Sequence, residues 1–145
     1  MQKILFLCSA NVWRSQMDEG YYNYFTSLLN WVSAALIEDR REKYNYSPSW
    51  EIIDIMQQEG IDISKQTVKL LDKGMCEESE KIVLLLDPSD KKSEFKIDGH
   101  DAIDFLMNTY YNKISVFPIK DPFWEWANNK ILIRDQIKEF IKTLT

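Results

Sequence analysis

Residues 3–20 read KILFLCSANVWRSQMDEG, and how this stretch divides decides the fold. Lys3–Leu7 is a short apolar run with no helical period, the pattern of a strand buried on both faces of a parallel sheet. Cys8–Arg14 is broken in pattern and reads as a loop. From Ser15 onward the spacing becomes helical, with Met17, Tyr21, Tyr24, Phe25, Leu28 and Leu29 recurring at three- and four-residue steps. Ser15 suits the start of that helix. Asp18 and Glu19 fall in its first turns, where the helix dipole favours negative charge.

The same alternation continues outward. Trp31–Leu36 (WVSAAL) reads as a second strand and Ile37–Ser47 as a charged surface loop. Ser47-Pro48 opens a helix carrying Ile52, Ile53 and Met56 that stops at Gly60. Ser64–Leu71 is expected to be another short helix. Lys81–Leu86 is a third strand, ended by Asp87-Pro88, and a helix is expected over Asp101–Tyr111. Lys113–Phe117 is a fourth strand, ended by Pro118. After Asp121-Pro122 an aromatic stretch leads into a last helix, Ile131–Leu144. Strands alternating with helices imply an α/β fold of three layers: a four-stranded parallel sheet with helices on both faces, in one domain over residues 1–145. Such sheets bind ligands at the carboxyl ends of their strands. Cys8 and Asp121 each follow a strand, so this architecture brings them to one rim.

Composition narrows the function. The net charge of −5 argues against a nucleic-acid partner, although a local field of backbone N–H groups and one Arg can still hold an anion. Cys8 and Cys76 are too few for a disulfide framework. No leader-like segment and no apolar stretch of spanning length is visible, so a reduced, cytoplasmic, soluble protein with no membrane partner is expected.

Cys8-Ser9-Ala10-Asn11-Val12-Trp13-Arg14-Ser15 lies between a buried strand and a helix N-terminus. A loop so placed can curl its successive N–H groups inward as an oxyanion nest, reinforced by the helix dipole. A cysteine at its base would be held as a thiolate. Arg14 can grip two oxygens with its planar fork, and Ser15 can hydrogen-bond the sulfur. Cysteine with arginine six residues on also arises from plain packing; the strand before and the helix after shift the balance toward chemistry. Asp121 stands before Pro122, Phe123 and Trp124. There the aromatic residues would exclude water, keep the carboxyl protonated and flank an aryl substrate.

These residues resemble the low-molecular-weight protein tyrosine phosphatases and their relatives, the thioredoxin-coupled arsenate reductases. Cys8, Arg14 and Ser15 match C-x5-R-S, and VSAAL, SPSWEIIDIMQQEGIDIS, KIVLLLD and IKDPFW follow in the family's order. The resemblance implies Cys8 as nucleophile, Arg14 as phosphate ligand and Asp121 as general acid. It implies that the Ser9, Ala10, Asn11, Val12, Trp13 and Ser15 segment binds the phosphate. It places Asn11, Ser15 and Ser33 in the hydrogen-bond network beneath, and Phe123 and Trp124 along the substrate cleft. No metal or cofactor is implied. The partners would be a phosphorylated protein or small phosphate ester, with phosphate, vanadate or arsenate as oxyanion ligands.

The chain also departs from the pattern. Ala10 stands where the family often has Gly, Trp13 replaces the second loop cysteine, and Gln66 occupies the place of a buried His. SQMDEG, GIDISKQT and IRDQIKEF lean toward the reductases. Reductase chemistry needs two further thiols near and after Leu86, and only Cys76 exists, before the third strand. A phosphatase is therefore the expectation, with a reductase using an external thiol, or a non-catalytic oxyanion-binding module, as the alternatives. Tyr44, Tyr46 and Trp50 fall in the family's specificity loop. His100, the sole histidine, reads as a surface residue.

Overall fold

Ile4–Cys8 forms the central strand β1 in the computed structural model, which describes residues 3–27 and 33–145. Its side chains alternate strictly. Ile4, Phe6 and Cys8 enter one core, Leu5 and Leu7 the other, and all five are buried. This is why the run is apolar throughout: neither face meets water. Each fully buried Leu, Ile or Phe is worth about 1.5–3 kcal/mol, so burial, more than length, holds so short a strand.

The elements that follow are α1 (Arg14–Thr26), β2 (Ser33–Ala35), α2 (Trp50–Gln57), α3 (Lys73–Glu78) and β3 (Lys81–Leu84). Then come a small antiparallel pair, β4 (Lys96–Ile97) and β5 (His100–Asp101), α4 (Ala102–Thr109), β6 (Ile114–Val116) and α5 (Ala127–Leu144). The main sheet has four strands in the order β2-β1-β3-β6, paired in parallel throughout. Met17 and Tyr21 of α1, Ile52 and Met56 of α2, and Ile133, Ile137 and Ile141 of α5 pack on one face. Met75 and Cys76 of α3 and Ile103, Phe105 and Leu106 of α4 pack on the other. The three-layer α/β arrangement expected from the alternation is present.

Several local expectations change. Ser64–Leu71 is not a helix. It turns at Ser64-Lys65 and then runs extended beside β2, where Ala35 N–H donates to Lys69 O (2.8 Å) and Leu71 N–H donates to Ala35 O (2.9 Å). The open edge of β2 supplies the hydrogen-bond partners that a helix would have found within itself. The short helix lies later, as α3, capped by Asp72 accepting from Met75 N–H at 2.8 Å. The β4–β5 hairpin was not foreseen. Its turn is Asp98-Gly99, both at positive φ, the pair that two-residue hairpin turns require. α2 begins at Trp50 with Ser49 as N-cap, two residues beyond Pro48, and α5 begins at Ala127, earlier than Ile131. Leu28, Leu29, Trp31 and Val32 lie outside the described residues. Among those described, no helix is long and apolar enough to cross a membrane.

Candidate active site

β1 delivers Cys8 to the sheet rim, and α1 begins six residues later, so the connecting loop must turn within Ser9–Trp13. Its carbonyls are nearly all occupied from outside. Cys8 O accepts from Leu36 N–H (2.9 Å), and Ser9 O accepts from Ile37 N–H (3.0 Å) and Glu38 N–H (2.9 Å). Asn11 O accepts from Gln16 Nε2 (2.9 Å), Val12 O from Ser49 N–H (3.2 Å) and Trp13 O from Met17 N–H (3.3 Å). By contrast, the N–H groups of residues 10–13 have no acceptor among the described residues. Buried amide donors rarely stay unpaired, and a run of them at a helix N-terminus is an anion seat.

Asn11 sets the turn. It is fully buried at φ 60°, a left-handed conformation that Asn tolerates, which leaves Ala10 with ordinary angles where a glycine was expected. Its amide Oδ1 accepts from Lys69 N–H (2.8 Å) and Gln16 Nε2 (3.0 Å), which fixes the orientation of the group. Nδ2 then donates to Ser15 Oγ (2.7 Å) and Ser33 Oγ (2.9 Å). Because Ser15 Oγ accepts there, its own proton is left for Cys8 Sγ, 2.9 Å away. Ser33 donates onward to Glu19 Oε1 (2.6 Å), which also receives Lys69 Nζ at 3.2 Å. Glu19 is therefore a buried strut beneath the loop. Gln66 keeps a structural place, donating to the side chain of Gln16 at 2.8 Å. Gln16 itself was not singled out from the sequence, since a polar residue in a first helical turn carries no signal.

Arg14 is 7% exposed and is held from behind: Nη1 donates to Leu85 O (3.2 Å) and Ile119 O (3.0 Å). Nη2 faces Asp121 Oδ2 at 3.8 Å. Asp121 caps the short turn Pro122–Trp124 by accepting from Phe123 N–H at 3.0 Å. The dry setting expected for Asp121 is not found: its side chain is 46% exposed, because Phe123 and Trp124 stand open to solvent beside it.

One turn along α1, Asp18 is fully buried, and neither carboxyl oxygen has a well-formed hydrogen-bond partner. Burial pushes its pKa well above the usual carboxylate range, outweighing the Arg14 charge and its own backbone N–H. The folded chain keeps a proton there that the unfolded chain releases near 3.8. The contribution of Asp18 to stability is thus highest below that pH and falls as pH rises toward the folded value, by about 1.4 kcal/mol per unit. Asp18→Ala is expected to stabilise the fold at pH 7 by about 1–3 kcal/mol. It should also flatten the fall of stability above pH 4; chemical denaturation of both proteins from pH 4 to 8 checks this, and parallel curves would refute it.

Cys8, Arg14 and Asp121 meet in a cleft of about 500 Å³. Trp13, Tyr44, Phe123 and Trp124 form its aromatic wall. Glu38, Arg40 and Lys43 also line it, although within residues 37–47 the sequence singled out only Tyr44 and Tyr46. Tyr46 and Trp50 are exposed and do not line the cleft.

The fold has clear counterparts. A low-molecular-weight protein tyrosine phosphatase from T. tengcongensis superposes with a TM-score of 0.77 at 19% identity, covering 99% of this chain and 97% of that one. The chain has the low-molecular-weight phosphatase fold. Vibrio vulnificus Wzb in complex with benzylphosphonate shares this phosphatase fold, with a TM-score of 0.76 at 16% identity over 99% and 96% of the two chains. By sequence, an arsenate reductase from Staphylococcus aureus is 32% identical over 93 residues, 60% of this chain and 62% of that protein. The match thus spans under two thirds of the length of that curated relative. No protein-family model matches.

Proposed function

We propose that this protein is a cytoplasmic, cysteine-dependent phosphate monoesterase, acting on an aryl phosphate such as phosphotyrosine. The observation that carries the reading is the loop whose carbonyls are tied outward while its buried N–H groups remain unpaired around Cys8, with Arg14 beside them. An oxyanion satisfies both at once. Cys8 sulfur attacks phosphorus, forming an S–P bond as the P–O bond to the leaving group breaks. The N–H groups of residues 10–13 and Arg14 hold the non-bridging oxygens. Asp121 gives its proton to the departing phenol, then takes one from the water that hydrolyses the phosphocysteine. Ser15, whose proton already faces sulfur, stabilises the sulfur as it leaves. The nest and Arg14 supply the positive field, so neither step calls on a metal. The aromatic wall favours an aryl group over a small aliphatic ester.

The resemblance to arsenate reductases gives a second reading, which the thiols oppose. Cys8 and Cys76 belong to cores on opposite faces of the sheet. Burial also pushes the Cys76 thiol up to about 12, which makes it a poor nucleophile. Arsenate is expected to compete with phosphate for the loop without being reduced.

The test is hydrolysis of p-nitrophenyl phosphate in the presence of a chelator, with vanadate and arsenate as competitive inhibitors. Asp121→Asn should lower kcat by about 100-fold or more, the ordinary loss on removing a general acid. Binding of phosphate with no turnover from pH 5 to 8 would leave a non-catalytic oxyanion module instead.

A further inference from the structure

Trp13 occupies the last position of the loop before Arg14, and its surroundings differ from those of its neighbours. Asn11 and Ser15 face the network beneath the loop, whereas Trp13 bridges the loop to the acid-bearing turn. Its indole meets the Phe123 ring edge-on, with centroids 5.8 Å apart and planes at 88°. Phe123 in turn donates its backbone N–H to Asp121 Oδ1 at 3.0 Å, so ring and carboxylate belong to one rigid turn. Elsewhere Trp13 is pinned: Lys130 Nζ from α5 sits 4.7 Å from the indole centroid and donates to Glu51 Oε2 of α2 at 2.6 Å. Lys130 and Trp13 are both 8% exposed. The indole is therefore fixed by two helices while it supports a turn whose other side-chain ties include the Arg14–Asp121 pair at 3.8 Å and the Lys120–Glu125 pair at 2.8 Å. Within that turn only Pro122 is buried, and Trp124 is 84% exposed.

We propose that Trp13 is a positioning residue for Asp121: its indole is the ledge that seats the acid turn over Cys8. An edge-to-face pair of this kind is worth about 0.5–1.5 kcal/mol beyond its area, enough to bias a surface turn between docked and undocked positions by roughly three- to tenfold. The inference rests on the reading of Asp121 as general acid. It adds that the side chain standing in place of the family's second loop cysteine serves the leaving-group step through the acid.

The experiment compares two leaving groups. A dinitrophenol departs without a proton, and phenol needs one. Trp13→Ala is expected to lower kcat for phenyl phosphate about tenfold more than kcat for dinitrophenyl phosphate; loss of the indole from the cleft wall acts on both esters alike and cancels in that ratio. Asp121→Asn should show the same split in stronger form, and Trp13→Phe should restore most of the loss. If Trp13→Ala does not fold, Phe123→Leu removes the same ring pair from the exposed side and should give the same split. Equal losses on both substrates, or no loss on either, would overturn the proposal. Failure of the underlying reading looks different: the unaltered protein would hydrolyse neither ester, or Asp121→Asn would show no split.

Discussion

Cys8→Ser is expected to abolish turnover of aryl phosphates, by at least about 10⁴-fold, while the protein still folds and still binds inorganic phosphate. The exchange is nearly isosteric at a site only 2% exposed, and the hydrogen bond to Ser15 can be remade by oxygen. What disappears is the nucleophile. A serine hydroxyl holds its proton at neutral pH and needs a neighbouring base to act. Ser15 donates toward position 8, the sole histidine, His100, is exposed on the β5 hairpin, and a carboxylate such as Asp121 is too weak a base to ionise an alcohol. The N–H groups of residues 10–13 and Arg14 are untouched, so the anion seat survives. Phosphate should still bind, because the donors that hold it are unchanged. The measurement pairs phosphate release with isothermal titration of phosphate. Full turnover by the serine variant would end the covalent mechanism, and loss of phosphate binding would show that the loop had collapsed.

The parts of this molecule legible in its sequence are those where one physical requirement acts alone. The buried strands Lys3–Leu7 and Lys81–Leu86 could be read because a strand covered on both faces has no room for polar residues. Cys8, Arg14 and Asp121 could be placed on one rim because parallel topology leaves little alternative. Where two requirements compete, the local pattern misleads. Residues 64–71 have helix-compatible spacing, yet the bare edge of β2 and the Oδ1 of Asn11 claim their backbone donors. Asp18 and Glu19 read as charges placed for the helix dipole, yet both are buried, Glu19 in a polar network and Asp18 without a well-formed hydrogen bond to its carboxyl oxygens. The open setting of Asp121 was hidden for a related reason. Adjacent aromatics suggest a dry pocket only if they fold over the carboxylate, and here they face solvent. The Asp98-Gly99 hairpin, by contrast, carried a readable turn signal that the long mixed stretch around it obscured.

Arg14→Lys keeps the charge and should nevertheless cost about 10²–10³-fold in kcat/KM, which separates geometry from field strength. The two Nη1 protons of Arg14 are engaged by Leu85 O and Ile119 O, at 3.2 and 3.0 Å. These bonds fix the guanidinium plane between the ends of β3 and β6, leaving Nε and Nη2 as a fork for two phosphate oxygens. Nη2 lies 3.8 Å from Asp121 Oδ2. An arriving phosphate takes over that donor and frees the Asp121 carboxyl group to carry the proton that it gives the leaving group. A lysine offers three protons from one atom. It can satisfy the buried carbonyls or the phosphate, but it cannot span both, and it has no second nitrogen to orient the transferring group. The loss should therefore appear mostly in kcat, since an ammonium still attracts the ground-state dianion while failing to match the planar array of oxygens in the transition state. A steady-state comparison of the two proteins on p-nitrophenyl phosphate decides the point. A lysine variant with unchanged kcat and raised KM would mean that position 14 supplies only attraction, and the fork would have no part in the chemistry.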